Sequence, residues 1–171
     1  ITNCELLESL PGDLEPGIWN WYEAYKYSAA ANIILDNVPK IVDPNFSETE
    51  RKNILGQAHF LRAFHYYHLA RQYRDVPIIL SQDGDLLPAK SLEADVYARV
   101  IKDAEIAESY LPKEHANRFL TSSRGTKGAA QALLAKVYVE TGDYTKAAEY
   151  AGKAMDSGVY TLVDTYDHLW D

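Results

Sequence analysis

One cysteine, Cys4, stands among 171 residues. It cannot close an internal disulfide or build a cysteine-rich metal cage. Its setting, "ITNC", faintly resembles a lipoprotein signal. No apolar run precedes it, however, and Asn3 stands where such signals carry a small residue, so the cysteine reads as incidental. Basic charge is outnumbered, 17 Lys and Arg against 25 Asp and Glu, for a net charge of −8. That argues against a nucleic-acid partner, which needs clustered cations to displace counterions. Apolar runs approaching the ~20 residues of a membrane-spanning helix are missing, and no charged-then-apolar signal sequence opens the chain.

Catalytic signatures are equally scarce. There is no HExxH and no G-x-S-x-G. "RGTKG" at 124–128 has the wrong spacing for a phosphate loop and follows no strand, so it reads as a helix entry. Among 25 acidic residues some pair will fall near the separation that glycosidases use, and nothing singles one out. His65 and His68 lie one turn apart and invite a metal, but no carboxylate or cysteine completes a ligand set with them or with His59. Histidines hydrogen-bonded among tyrosines inside a bundle are the expectation. No enzyme, metal or cofactor is implied.

What is present is helix signal and aromatic side chains, with 13 tyrosines and three tryptophans. Helices are predicted over about 17–37, 48–73, 92–111, 124–140 and 144–157. Pro16 suits a first turn, and Val38-Pro39 stops that helix. Along it Trp21, Tyr25, Ser28, Asn32 and Leu35 form one stripe, and Ala29, Ala30 and Ala31 permit close backbone approach. "SETE" is a capping box, Ser47 with Glu50. The helix it opens is apolar around most of its girth. Ile54, Ala58, Leu61, His65 and His68 line one side, Ala63, Tyr66, Ala70 and Tyr73 another, with Phe60, Phe64 and Tyr67 between. Such a helix is central, with neighbours on at least two sides. Arg62, in its middle, is expected to pair with a carboxylate or helix-end carbonyls. After an extended "DVPIIL", Ser91 is expected to cap a third helix with the stripe Tyr97, Val100, Ile101, Ala104, Ala107 and Leu111. "KEHANRFLTSSRG" reads as loop.

"GAAQALLAKVYVETGDYTKAAEYAGKAMDSGVY" resembles a tetratricopeptide repeat through Leu134, Ala135, Tyr138, Gly142, Asp143, Tyr144, Ala147 and Ala154. Gly142 ends one helix in a left-handed turn and Asp143 caps the next, while Tyr138 and Tyr144 fill the space between. Gln131 stands at the usual tryptophan position. The fold class is therefore all-α, a bundle of stacked antiparallel helix pairs. Stacks of this kind need polar terminal covers, and neither end of the sequence looks like one.

"AHFLRAFHYYHLARQYRDVPIIL" resembles the signature of the SusD/RagB-like family of Bacteroidetes, a helix reading A-x-F-L-R-A-x-x-Y-x-x-L followed by Tyr-Gly-Asp-Val-Pro. Ala58, Phe60, Leu61, Arg62, Ala63, Tyr67, Leu69, Tyr73, Asp75, Val76 and Pro77 match. "WYEAYKYSAAAN" is similar to the family's W-x-x-x-Y…A-N helix through Trp21, Tyr25, Ala31 and Asn32. "YTLVDTYDHLW" is similar to the segment that follows the repeat. Arg74 departs from the family's glycine, which implies a different turn or strain at that point.

The resemblance implies a non-catalytic, cell-surface protein that binds oligosaccharide and works with a SusC-like TonB-dependent transporter at the outer membrane. It also implies a lipid anchor outside this sequence, and residues 1–171 as one incomplete helical domain of a longer protein. Its ligand class is inferred through the family. "GIWNWYEAY" supplies the candidate binding surface, because flat aromatic faces stack on sugar rings and an amide bonds hydroxyls. Trp19 and Trp21 point about 200° apart on a helix. Trp21 belongs to the packing stripe, which leaves Trp19, Asn20 and Tyr22 as candidate ligand contacts. Phe60, Leu61, Arg62, Asn32, Tyr138, Gly142 and Tyr144 are expected to be structural. The alternative reading is a tetratricopeptide scaffold that binds a peptide in its groove.

Overall fold

The computed structural model describes residues 21–85, 88–161 and 165. Within them lie α1 (Trp21–Asn37), a short 3-10 turn (Val38–Lys40), α2 (Glu48–Tyr73), α3 (Glu93–Tyr110), α4 (Arg118–Ser123), α5 (Lys127–Glu140) and α6 (Tyr144–Met155). Packing runs α1 on α2, α2 on α3, α3 on α5 and α5 on α6. The arrangement is all-α, stacked and antiparallel: the start of α1 meets the end of α2 at Trp21 and Tyr73, and the start of α2 meets the end of α3 at Gly56 and Tyr110. No described helix is long and apolar enough to cross a membrane.

Local signals account for most helix ends. Ser47 accepts from the Glu50 amide while Glu50 Oε2 accepts from the Ser47 amide, a reciprocal cap at the start of α2. Gly142 adopts φ +80°, and Asp143 Oδ1 then accepts from the Lys146 amide to open α6. Two ends differ from expectation. Ser91 does not cap α3: the helix begins at Glu93 with Leu92 at the N-cap, and Ser91, one residue earlier, is paired through its amide with Val76 O (3.0 Å) in an isolated antiparallel bridge. The cap comes from across the excursion instead, where Asp75 Oδ1 accepts from the Glu93 amide at 3.0 Å. The stretch expected to be loop contains α4, opened by Asn117, whose side chain accepts from the Leu120 amide at 2.9 Å. That asparagine was a legible cap.

α2 is the shared wall. Ala58, Ala63, Tyr66 and Ala70 are inaccessible, and Arg62, His65, Tyr67 and Leu69 are buried with them. One expected face is corrected: Ile54 and Leu61 lie 39% and 44% exposed. They fall outside the arc covered by α1 and α3, and Arg62 occupies the interior in their place. In α1 the closest approach uses Ala24, Ser28 and Ala31 at helical spacing, while Ala29 and Ala30 face outward.

The last hairpin also corrects a pairing. Tyr138 stacks on Tyr150, with centroids 5.6 Å apart and planes 15° apart, whereas Tyr144 is 69% exposed. From its place in α6, Tyr150 reaches back under the hairpin, and Tyr144 at the first position of the helix cannot. Tyr144→Ala is therefore expected to change stability by less than about 0.5 kcal/mol, and Tyr150→Ala to cost about 2 kcal/mol. Urea midpoints of the two variants check this, and equal losses would refute the pairing.

"RGTKG" is a close-packed helix entry. Gln57 bonds both backbone groups of Gly125, donating to its carbonyl (2.8 Å) and accepting from its amide (2.9 Å). Thr126 caps α5 and hydrogen-bonds Tyr160 Oη at 2.6 Å. A Cβ on Gly128 would lie 2.3 Å from the Tyr160 ring, so the chain returning from α6 rests directly on that backbone.

Candidate functional site

Two features stand out once the bundle is assembled: a buried charge cluster that holds α1, α2 and α3 together, and an aromatic surface at the end of the bundle that this cluster supports.

Asp103, on α3, is inaccessible to solvent. Arg62 grips it with a two-point fork, Nε to Oδ2 and Nη2 to Oδ1, both at 2.9 Å. Arg99 makes a second fork onto the same two oxygens, and His59 Nδ1 lies 2.7 Å from Oδ1. Burial pushes the Asp103 carboxyl up, but the hydrogen bonds from His59, Arg62 and Arg99 outweigh it and hold the group well below the usual carboxylate range. Arg62 Nη1 also donates to Asn32 Oδ1 at 2.8 Å, and Asn32 Nδ2 donates to Ile79 O at 2.9 Å. This explains why an arginine sits at the centre of an apolar helix: it ties three helices to one carboxylate.

Tyrosines from α1 and α2 join Asn32 in holding the extended segment after α2. Tyr25 Oη donates to Pro77 O (2.6 Å), while Tyr66 Oη accepts from Ile79 N (2.7 Å) and donates to Ile79 O (3.1 Å). A part-buried, strand-like segment thus has its backbone groups satisfied by side chains from α1 and α2. Burial raises both hydroxyls, Tyr66 to about 12, so they stay protonated as donors.

Above this cluster α1 begins and α2 ends. The Trp21 ring lies 4.9 Å from Tyr25, tilted by 46°, and meets Tyr73 edge-on at 5.2 Å. Trp21 is 41% exposed, Tyr73 38% and Tyr22 67%. The result is a solvent-facing aromatic surface whose floor, Tyr25, is anchored to Pro77. Of the three candidate ligand contacts, Trp19 and Asn20 lie outside the described residues, and Tyr22 is exposed beside this surface. Assigning Trp21 wholly to packing needs correction: its ring packs on one side and faces water on the other. Tyr73 was missed as a surface residue, since the pairing of the first turn of α1 with the last turn of α2 leaves no mark in local periodicity.

The histidines are held by rings and charges. His59 joins Asp103, His65 stacks on Tyr27 at 5.2 Å and 20°, and His68 meets Phe64 and Tyr67 edge-on.

Residues 13–139 match a family model for SusD-like proteins, described as starch-binding and associating with the outer membrane. Over 135 residues, 77% of this chain, the sequence is 38% identical to SusD-like protein P2 of Formosa agariphila, of which the match covers 25%. Starch-binding protein SusD of Bacteroides thetaiotaomicron is 29% identical over 147 residues, covering 81% of this chain and 24% of that protein. Among solved structures, a laminarin-binding SusD-like protein superposes with a TM-score of 0.77 at 27% identity, over 88% of this chain and 33% of the other. The chain thus spans about a quarter of the length of the curated relatives it matches. With the family model matching residues 13–139 and the helical stack superposing on a SusD-like structure, the chain belongs to the SusD-like family.

Proposed function

We propose that this chain is the helical part of a cell-surface nutrient-binding protein that captures oligosaccharide without catalysis. In this reading it presents the sugar to a SusC-like TonB-dependent transporter at the outer membrane. The observation that carries the reading is the exposed Trp21–Tyr73 pair, in a chain whose family is described as starch-binding. The apolar face of a sugar ring stacks on indole and phenol rings, and the adjoining Tyr22 hydroxyl bonds equatorial hydroxyls. Trp19 and Asn20, which precede Trp21 in the sequence, remain candidate contacts. Because the rings are fixed by Tyr25 and the bonds beneath it, little ordering accompanies binding.

Calorimetric titration of the full-length protein with neutral gluco-oligosaccharides tests this. Trp21→Ala is expected to weaken binding at least tenfold, and His65→Phe to leave it within twofold. If Trp21→Ala binds as the parent does, the aromatic assignment is wrong.

A second reading, a scaffold that binds a peptide, draws on one specific feature. The outer face of α5 and α6 forms an apolar groove lined by Ala135, Val139, Tyr144, Ala148 and Ala151 and flanked by Lys136. A separate cavity is lined by Ala129, Ala132 and Met155 and bordered by Arg124. Binding of an acidic peptide to the full-length protein, lost in Lys136→Glu, would favour it.

A further inference from the structure

The end of α2 holds a backbone conformation that its own hydrogen bonding does not require. Arg74 has φ +63° and ψ −99°, the one non-glycine residue of positive φ among those described. Its amide closes the helix onto Ala70 O at 2.8 Å, a bond that any residue except proline could make. A glycine would take the same turn without strain. Strain of this sort persists where the surroundings over-determine it, and it concentrates at binding surfaces.

The side chain has no structural employment either. It is exposed and in no ion pair among the described residues, whereas the neighbouring cations are occupied, Arg71 by Glu140 and Lys90 by Asp75. The preceding residue is Tyr73, which forms the aromatic surface with Trp21. Successive Cα atoms lie ~3.8 Å apart, so an uncommitted guanidinium is rooted at the edge of the proposed sugar surface. The chain as a whole carries a net charge of −8, which repels anions unless a local cation receives them. A guanidinium fork matches the paired oxygens of a carboxylate or sulfate, and it cannot lose its charge.

We propose that Arg74 sets the ligand class of the Trp21–Tyr73 surface, selecting oligosaccharides that carry acidic groups, either uronate carboxylates or sulfate esters. This rests on the glycan reading above. The rings hold the sugar by its apolar face, and Arg74 meets the acid substituent at the ring's edge. The strained turn is retained because a glycine there removes the cation.

The test uses the full-length protein and three probes: an oligogalacturonate, a sulfated galactan oligosaccharide and a neutral laminari-oligosaccharide. Arg74→Gly, Arg74→Lys and Trp21→Ala are titrated against each, at low and physiological salt, with melting temperatures recorded alongside. The parent is expected to prefer one of the acidic probes, and which one it prefers names the acid group. Arg74→Gly should lower the acidic-to-neutral affinity ratio about tenfold while raising Tm by a few degrees. Arg74→Lys should keep part of the ratio. A stabler protein that has lost selectivity is a result that a purely structural residue could not give. An unchanged ratio in Arg74→Gly overturns the inference, as does a parent that prefers the neutral probe. If Trp21→Ala abolishes neutral binding in that case, the glycan surface stands and Arg74's role falls. If no probe binds the parent, both fall.

Discussion

Asp103→Ala is expected to destabilise the protein by about 3–5 kcal/mol and to lower Tm by roughly 10 °C. The carboxylate is inaccessible, and it balances Arg62, whose side chain is 5% exposed, together with Arg99 and His59 at 15% each. Alanine leaves two guanidiniums and an imidazole facing one another without the carboxylate they share, in a site from which water is largely excluded. The cost is less the loss of a favourable pair than the stranding of buried charge. The double variant Arg62→Met/Asp103→Leu separates the two causes, because it removes the central charges together and keeps similar volume. It should recover more than half of the loss. Thermal melts of both variants decide the matter. A single variant that melts within 2 °C of the parent would mean that the cluster is not what joins the three helices.

Acid is expected to weaken the fold well above the pH at which carboxylates titrate. Burial, reinforced by the neighbouring His68, lowers His65 from 6.5 to about 4. The unfolded chain takes up a proton on this histidine as pH falls below 6.5, and the folded protein does not do so until about pH 4. Proton uptake then favours unfolding, so stability that is fully present above pH 6.5 is lost progressively down to about pH 4. The interval corresponds to roughly 3 kcal/mol, about 2 of it gone by pH 5. His68 is lowered in the same direction by burial and by Arg71 and Lys136, and adds to the slope. Asp103 contributes a second, more acidic loss: its carboxyl is held well below its unfolded value of 3.8, so that stability disappears as pH falls through and below 3.8. Urea midpoints at pH 7.5, 6 and 5 should decline for the parent and much less for His65→Phe, which keeps an aromatic ring against Tyr27. A midpoint that does not move between pH 7.5 and 5 would show that His65 is accessible to protons in the folded state.

Asp103 and His65 lie where the helices are held together, whereas Trp21 and Arg74 lie on the exposed end of the bundle. The Tyr25 hydroxyl connects the two, since its ring underlies Trp21 and its oxygen fastens Pro77. A substitution at Tyr25 would therefore disturb both, which makes Trp21 and Arg74 the cleaner probes of binding.

The sequence by itself determined the helix class, the antiparallel stacking and the family. Those depend on local and periodic information: the Ser47–Glu50 cap, the turn at Gly142 and Asp143, the girth of apolar residues on α2 and the order of short motifs along the chain. It also identified Arg62 as a buried, paired cation, since an arginine surrounded by apolar helix positions has few other fates. Tertiary structure alone decided the partners. Asp103 reads as an ordinary surface carboxylate until α3 is laid against α2. Tyr150 rather than Tyr144 meets Tyr138, and Trp21 finds Tyr73 some fifty residues away. Periodicity states which side of a helix is covered, but not which helix covers it or how far the cover extends. That is why Leu61 and Ile54, apolar and correctly spaced, still face water beyond the reach of α1 and α3.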